Sequence, residues 1–306
     1  MDEQQSVGPP FRCGYVTIVG APNAGKSTLM NCLIGQKISI VTPKPQTTRH
    51  AIIGILSTNE AQVIFLDTPG LITPKYKLQS LMMKSAASAV ADADVLLFMI
   101  DAAEPASGGE EAWTSFSAAA GERRIPRFLV LNKADLVEKR SLLPIIERWA
   151  AKQAFDEIFP ISALHADGTA ELLKAIVARL PEHPPYYPLD IASERDQRFF
   201  VAEIIREKIF MACHEEVPYA STVEIGEFKE REAGKWYIAA DIFVERESQK
   251  GILIGKKGSM LKSIGQRARS EIERTLGHPV FLELRVKVSD KWRDDEHSLK
   301  QFGYTP

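Results

Sequence analysis

Residues 20–27 read Gly20-Ala21-Pro22-Asn23-Ala24-Gly25-Lys26-Ser27 and follow the apolar run Tyr15-Val16-Thr17-Ile18-Val19. The stretch from Thr28 to Ile34 has helical composition. Strand, glycine-rich loop and helix in that order make a phosphate-binding P-loop, and such a loop needs an α/β sheet to carry it. Gly20 and Gly25 let successive N–H groups turn inward, towards phosphate oxygens. The helix start adds the positive end of a dipole. Lys26 offers a charge for β- and γ-phosphates, and Ser27 a hydroxyl for magnesium. Ala21, Pro22, Asn23, Ala24 and Thr28 complete the expected cradle.

Apolar runs near 15–20, 51–56, 62–66, 94–100, 127–131 and 157–161 alternate with helical patterns, among them 79–91, 141–152 and 170–180. This alternation predicts an α/β domain with a mostly parallel sheet and helices on both faces. Ligands of such sheets sit at the carboxyl ends of the strands. Pro181, Pro184, Pro185 and Pro188 then exclude helix and central strand, which predicts a semi-rigid linker. Beyond it the order becomes helix, two strands, two helices around a glycine turn, and a strand, the pattern of a smaller α+β domain. The expected organisation is a tail over 1–13, a nucleotide domain over 14–180, a linker over 181–193 and a second domain with its C-terminal tail over 194–306.

Two further motifs fall at predicted strand ends of the first domain. Asp67-Thr68-Pro69-Gly70 closes the strand 62–66. A carboxylate there can hold a magnesium-bound water, and the Gly70 N–H can meet a γ-phosphate. Asn132-Lys133-Ala134-Asp135 closes the strand 127–131. Guanine presents two N–H donors on its pairing edge, whereas adenine presents one donor and one acceptor. The Asp135 carboxylate only accepts, so it matches guanine. The Lys133 stem would lie along the base, and Asn132 would tie its loop to the P-loop. Ser162-Ala163-Leu164, after the last apolar run, can close over the guanine carbonyl with its backbone.

With these motifs in order over 14–180, the chain resembles the translation-factor-like P-loop GTPases. The resemblance implies binding of GTP and GDP with magnesium, and hydrolysis of GTP to GDP and phosphate. It implies a mobile switch segment between the P-loop and Asp67, whose threonine reaches magnesium. Thr47 and Thr48 are the candidates, and Thr48 is favoured because it directly precedes Arg49. The catalytic set it implies is Lys26, Thr48 and Gly70, and the metal set is Ser27, Thr48 and Asp67. Ras-like relatives place a water-orienting glutamine after Asp-x-x-Gly; here the residue is Leu71, which predicts slow intrinsic hydrolysis. In related GTPases with a Pro-Asn-x-Gly-Lys-Ser loop the asparagine helps hold potassium, which puts that role on Asn23.

Gly255-Lys256-Lys257-Gly258 marks the second domain. Lys250, Lys256, Lys257, Lys262, Arg267 and Arg269 lie between Ser248 and Ser270 with no acidic residue among them, although the stretch from 191 onward is balanced in charge. Glycines admit a phosphate backbone, lysines neutralise it, and Ile252, Leu253 and Ile254 are the expected apolar floor for bases. This resembles a KH domain. A P-loop GTPase joined to such a domain is similar, over nearly the whole chain, to a family of bacterial ribosome-assembly GTPases. That resemblance implies binding of 16S-type rRNA near its 3′ end, work on the 30S subunit, and peripheral association with the inner membrane. A second reading stays open at this level: a signalling GTPase whose C-terminal domain binds a protein or membrane partner.

The remaining features narrow the class. Net charge is −2, so any nucleic-acid argument must be local. Cys13, Cys32 and Cys213 show neither metal spacing nor a disulfide framework. The N-terminal residues lack the form of a signal peptide, and the run 95–100 is too short to cross a bilayer. The expected protein is a cytoplasmic monomer. His165, His183, His214, His278 and His297 are scattered and suggest no second catalytic centre.

Overall fold

A computed structural model of the chain describes residues 10–105, 109–121 and 123–304. By their contacts these residues divide into two compact units. The first holds the P-loop, Thr48–Thr73 and Met83–Glu194. The second holds Arg195 onward together with two segments from the N-terminal half, Ile40–Thr47 and Pro74–Met82.

The elements of the first unit run β1 (Arg12–Gly20), α1 (Lys26–Ile34), β2 (Ile52–Ser57), β3 (Ala61–Asp67), α2 (Lys77–Asp92), β4 (Val95–Asp101), α3 (Gly109–Ala120), β5 (Arg127–Asn132), α4 (Lys139–Ala150), β6 (Glu157–Pro160) and α5 (Thr169–Arg179), although α2 begins within the second. They form one sheet of order β2-β3-β1-β4-β5-β6, parallel except for the β2–β3 pair. All of β3 is buried, as is β4 up to its last residue, so these strands read as near-continuous apolar runs. The strand order reverses at β1, which lies between β3 and β4. The P-loop therefore leaves the sheet at a topological switch point.

One face of the sheet carries a cluster centred on Phe98. Its ring lies 5.0 Å from Phe116, 5.5 Å from Trp149, 5.6 Å from Trp113 and 6.0 Å from Phe155. These aromatics pack β4 against α3 and α4.

Two features differ from the sequence expectation. β1 opens at Arg12, inside the stretch expected to be tail, and Cys13 N donates to Pro181 O at 3.1 Å. The proline-rich stretch is laid along the first unit. Gln62 holds both the N–H and the carbonyl of Tyr187, and Ile55 N donates to Ala192 O at 2.8 Å. Prolines cannot donate, so Pro181 offers its carbonyl to the sheet, while the N–H groups of His183 and Tyr187 supply the stretch's donors.

The second unit runs α6 (Gln197–Ala212), α7 (Val217–Ala220), β7 (Thr222–Lys229), β8 (Trp236–Val244), α8 (Glu247–Ile254), α9 (Ser259–Leu276), β9 (Val280–Val288) and α10 (Glu296–Gln301). Its sheet has order β7-β8-β9, with β7–β8 antiparallel and β8–β9 parallel. Alternate residues of β8 (Ile238, Ala240, Ile242, Val244) meet Ile205 and Ile209 of α6 and Ile264, Ala268 and Ile272 of α9 in one core. The segment Ile40–Thr47 is fastened within this unit: Val41 N donates to Glu207 Oε1 at 3.0 Å, and Lys44 Nζ donates to the Phe210 and Cys213 carbonyls at the end of α6.

Phe98→Ala is expected to destabilise the sheet unit by roughly 3–5 kcal/mol, because the rings around it cannot collapse onto the void. Urea unfolding followed by tryptophan fluorescence measures this.

Candidate nucleotide site and nucleic-acid face

Four strand ends build the first site. β1 ends at Gly20, which adopts φ +149°, and a Cβ there would stand 2.0 Å from the Met99 carbonyl oxygen. No side chain fits, so the loop can turn at once. Lys26 opens α1, is buried, and donates from Nζ to the carbonyls of Ala21 at 2.8 Å and Gly20 at 3.2 Å. Burial pushes its ammonium down to about 8, opposed by the charge of Asp67. Asn23 is exposed at φ +63°. Pro22 lies against Gly70, and Leu71 N donates to Gly20 O at 3.1 Å.

Asp67 ends β3 with 0% exposure. Its Oδ2 accepts from Ser27 Oγ at 2.6 Å and from Ser39 Oγ at 2.9 Å, while its buried Oδ1 has no hydrogen-bond partner among the described residues. Burial pushes this carboxyl up, opposed by the Ser27 hydrogen bond and the Lys26 charge. Thr48 Oγ1 lies 2.9 Å from Ser27 Oγ. The Thr47 hydroxyl points elsewhere, donating to Lys44 O at 2.7 Å and lying 2.6 Å from Thr42 Oγ1. Of the two threonines, Thr48 is thus the one beside Ser27. Thr68, expected in the site, is wholly buried and donates to Ile18 O at 2.8 Å, which pins β3 to β1. Leu71 is 8% exposed and packs into the core with Val19, Phe98 and Phe116.

Asn132 ends β5 and joins two loops. Its Nδ2 donates to Ala24 O at 2.8 Å, and its Oδ1 accepts from Ala163 N at 2.9 Å. Lys133 takes φ +62°, and its Nζ meets Asp101 Oδ2 at 2.5 Å. Asp135 stands 3.7 Å from His165 Nε2. Ser162 exchanges two backbone hydrogen bonds with Asp167, which closes the 162–167 turn. Leu164 in that turn is 75% exposed.

Ser39 and Asp101 belong to no motif of the sequence, and His165, one of the scattered histidines, stands beside Asp135. Asp101 closes the most apolar strand of the chain, the same signal that marks Asp67. Ser39 has no local signal, since only the folded chain brings it to Asp67.

The glycine turn joins α8 to α9. Gly255 has φ +70° and ψ 177°, and a Cβ on it would come within 2.8 Å of Met260 Cβ. Lys256 and Lys257 are exposed at the tip, and Lys262 and Arg267 are exposed along α9. Lys250 lies 3.8 Å from Glu247. The expected apolar floor requires a correction. Ile252 is 50% exposed and Ile254 half-buried, but Leu253 is 0% exposed and belongs to the core, because helical periodicity turns it inward.

The comparisons with known proteins agree with this architecture. A family model described as a 50S ribosome-binding GTPase matches residues 15–133, and a KH-domain model matches residues 216–293. The chain is thus a P-loop GTPase joined to a KH domain. GTPase Era of Geobacter metallireducens is 48% identical over 97% of this chain and 99% of its own length. A chloroplastic ERA-like GTPase of Arabidopsis thaliana is 46% identical over 96% of this chain and 69% of its own. A crystal structure of an Aquifex aeolicus Era variant bound to GDP and AlF4− superposes with a TM-score of 0.93 at 43% identity, covering 97% of this chain and 100% of that one. A crystal structure of Era with MgGDPNP and nucleotides 1506–1542 of 16S ribosomal RNA has the same score, identity and coverage. The chain belongs to the Era family of GTPases.

Proposed function

We propose that this protein is a GTP-hydrolysing switch that binds 3′-terminal small-subunit ribosomal RNA through its KH domain and acts in assembly of that subunit. The observation that carries the reading is the convergence of Lys26, Ser27 and Thr48 on a buried Asp67 with one carboxylate oxygen unpaired. The RNA arm is supported by the exposed basic glycine turn and by the RNA held in the Era complex. In this reading 14–180 bind nucleotide, 181–193 link, and 194–306 hold RNA.

The donor set fits magnesium: two hydroxyls and a buried carboxylate oxygen make a hard-oxygen site. When bound, magnesium neutralises charge between the β- and γ-phosphates. The chain's own groups do the rest. The P-loop amides from Ala21 to Thr28 cradle the phosphates, and Lys26 shifts its ammonium from loop carbonyls to phosphate oxygens. The Gly70 N–H faces the γ-phosphate, with Pro69 setting the turn before it. Leu71 is turned into the core, so its position orients no water, and intrinsic hydrolysis is slow. Asn23 offers an exposed amide oxygen on the loop for potassium.

At the base, Asp135 accepts both guanine N–H groups. Asp101 fixes the Lys133 ammonium so that the lysine stem lies along the ring. Ser162, Ala163 and Leu164 close over the guanine carbonyl with their backbone. Thr48 is ordered by the triphosphate, and hydrolysis releases it, which makes the γ-phosphate a population switch for RNA binding. No helix among the described residues is long and apolar enough to cross a membrane. We assign a monomer working in the cytoplasm, with peripheral contact to the inner membrane.

Asp135→Asn is expected to move selectivity from GTP towards xanthosine triphosphate, whose extra carbonyl prefers a donor. Calorimetric titration with both nucleotides tests this, and retained GTP selectivity removes the base assignment. Hydrolysis is expected to run faster in potassium than in sodium, with the difference lost in Asn23→Ala; equal phosphate release in the two salts disproves that role. Single-stranded RNA affinity is expected to fall with salt at a log–log slope of roughly −3 to −4, for about four to six phosphate contacts. A flat slope favours a protein partner instead.

A further inference from the structure

The helix α9 carries more positive charge than the glycine turn needs. Its inner face, Ile264, Ala268 and Ile272, lies in the core. On the outer side Lys262 and Arg269 stand seven residues apart, and so do Arg267 and Arg274. Two helical turns separate each pair, so each forms a rail of about 10 Å along the axis. Between the rails run Ser259, Ser263, Gln266 and Ser270. Neither carboxylate of the helix is among its exposed residues, although Glu273 shares the row of Gln266. Glu271 is buried against Lys208, and Glu273 accepts from Val280 N at 3.1 Å.

A solvated helix face ordinarily interleaves both signs. This one does not, and none of the four cations has an ion pair or hydrogen bond among the described residues. The outer face of the sheet behaves otherwise: Lys229 pairs with Glu227, Arg285 with Glu283 and Lys287 with Asp241. Beside the rails, a groove of about 440 Å³ opens between α6 and α9, lined by Lys208, Met211, Gln266, Arg267, Ser270, Arg274 and the carboxylate-bearing Glu271, whose charge is met by Lys208. Lys208 is already held by Glu207 and Glu271, so the two arginines are its available charges. Met211 is 46% exposed and gives the groove an apolar wall.

We infer that α9 is a second RNA-contacting track, which takes the phosphate backbone of the same strand after it leaves the glycine turn, with Arg269 and Arg274 as its distal contacts. Guanidinium groups grip phosphate oxygens in a fork, the serine and glutamine strip offers hydrogen bonds to ribose hydroxyls, and Met211 receives a base. From Gly258 to Arg274 the helix advances about 24 Å, the reach of on the order of seven nucleotides at a stacked rise of ~3.4 Å. The inference rests on the RNA-binding reading above.

The test uses the full-length protein with GTP and two oligoribonucleotides, one just long enough for the turn and one extended by about seven nucleotides. Arg269→Gln/Arg274→Gln is expected to weaken binding of the long RNA roughly 5- to 30-fold and to leave the short RNA unchanged. The salt slope for the long RNA should fall by about 1.4, the share of two phosphate contacts on a single strand. Arg285→Gln/Lys287→Gln, on the sheet face, removes the same two charges and should change neither affinity. Unaltered GTP affinity and melting temperature establish that the double variant is folded. If wild-type protein binds neither RNA, the RNA-binding reading itself fails. If it binds both and the double variant weakens neither, or both equally, the track is refuted while that reading stands. Loss of binding to phosphatidylglycerol vesicles with RNA affinity intact gives the surface to a lipid and overturns the proposal.

Discussion

A carboxylate withdrawn from water organises the strand ends of the first unit. Taking such a charge out of solvent is costly unless partners meet it. Asp67 receives two hydroxyls on one oxygen and the field of Lys26, and keeps the other oxygen free. This arrangement depends on sheet register. Ile18 stands directly opposite Asp67, and the Thr68 hydroxyl locks the pair by donating to the Ile18 carbonyl. The P-loop starts two residues beyond Ile18, so a slip of one residue between β1 and β3 would part Ser27 from the carboxylate.

Much of this was legible in the chain because its determinants are local. A glycine required by a close approach, as Gly20 is by the Met99 carbonyl, leaves its mark at its own position. So does an acid that closes an apolar strand. What was missed depends on residues distant in sequence or on which face of a helix a side chain takes. Ser39 and Asp67 are 28 residues apart. Leu253 sits in a run of three apolar residues, and composition alone does not tell which of them turns inward. The proline-rich stretch looks like a spacer in sequence because its four prolines show only what cannot form there. Its carbonyls and the Tyr187 amide are met by Gln62 and β2, which carry no motif.

The second unit shows how position decides what a charge does. Its buried ions are matched within the fold: Arg206 with Glu203, and Lys208 with Glu207 and Glu271. The first two pairs lie within α6, and Lys208–Glu271 joins α6 to α9, so these charges are spent inside the fold. Lys44 is also inward-facing, capping the carbonyls at the end of α6 as a cation should at that end of a helix dipole. Net charge near zero therefore conceals a run of positive groups on the turn and one face of α9 that no exposed acid of that helix offsets.

The burial of Leu71 bears on how such a chain can evolve. An amide set among Val19, Phe98 and Phe116 would lose its water partners, at a cost of roughly 1–3 kcal/mol. The interior therefore selects for an aliphatic side chain at position 71, and a polar exchange there would destabilise the fold before it could alter any chemistry.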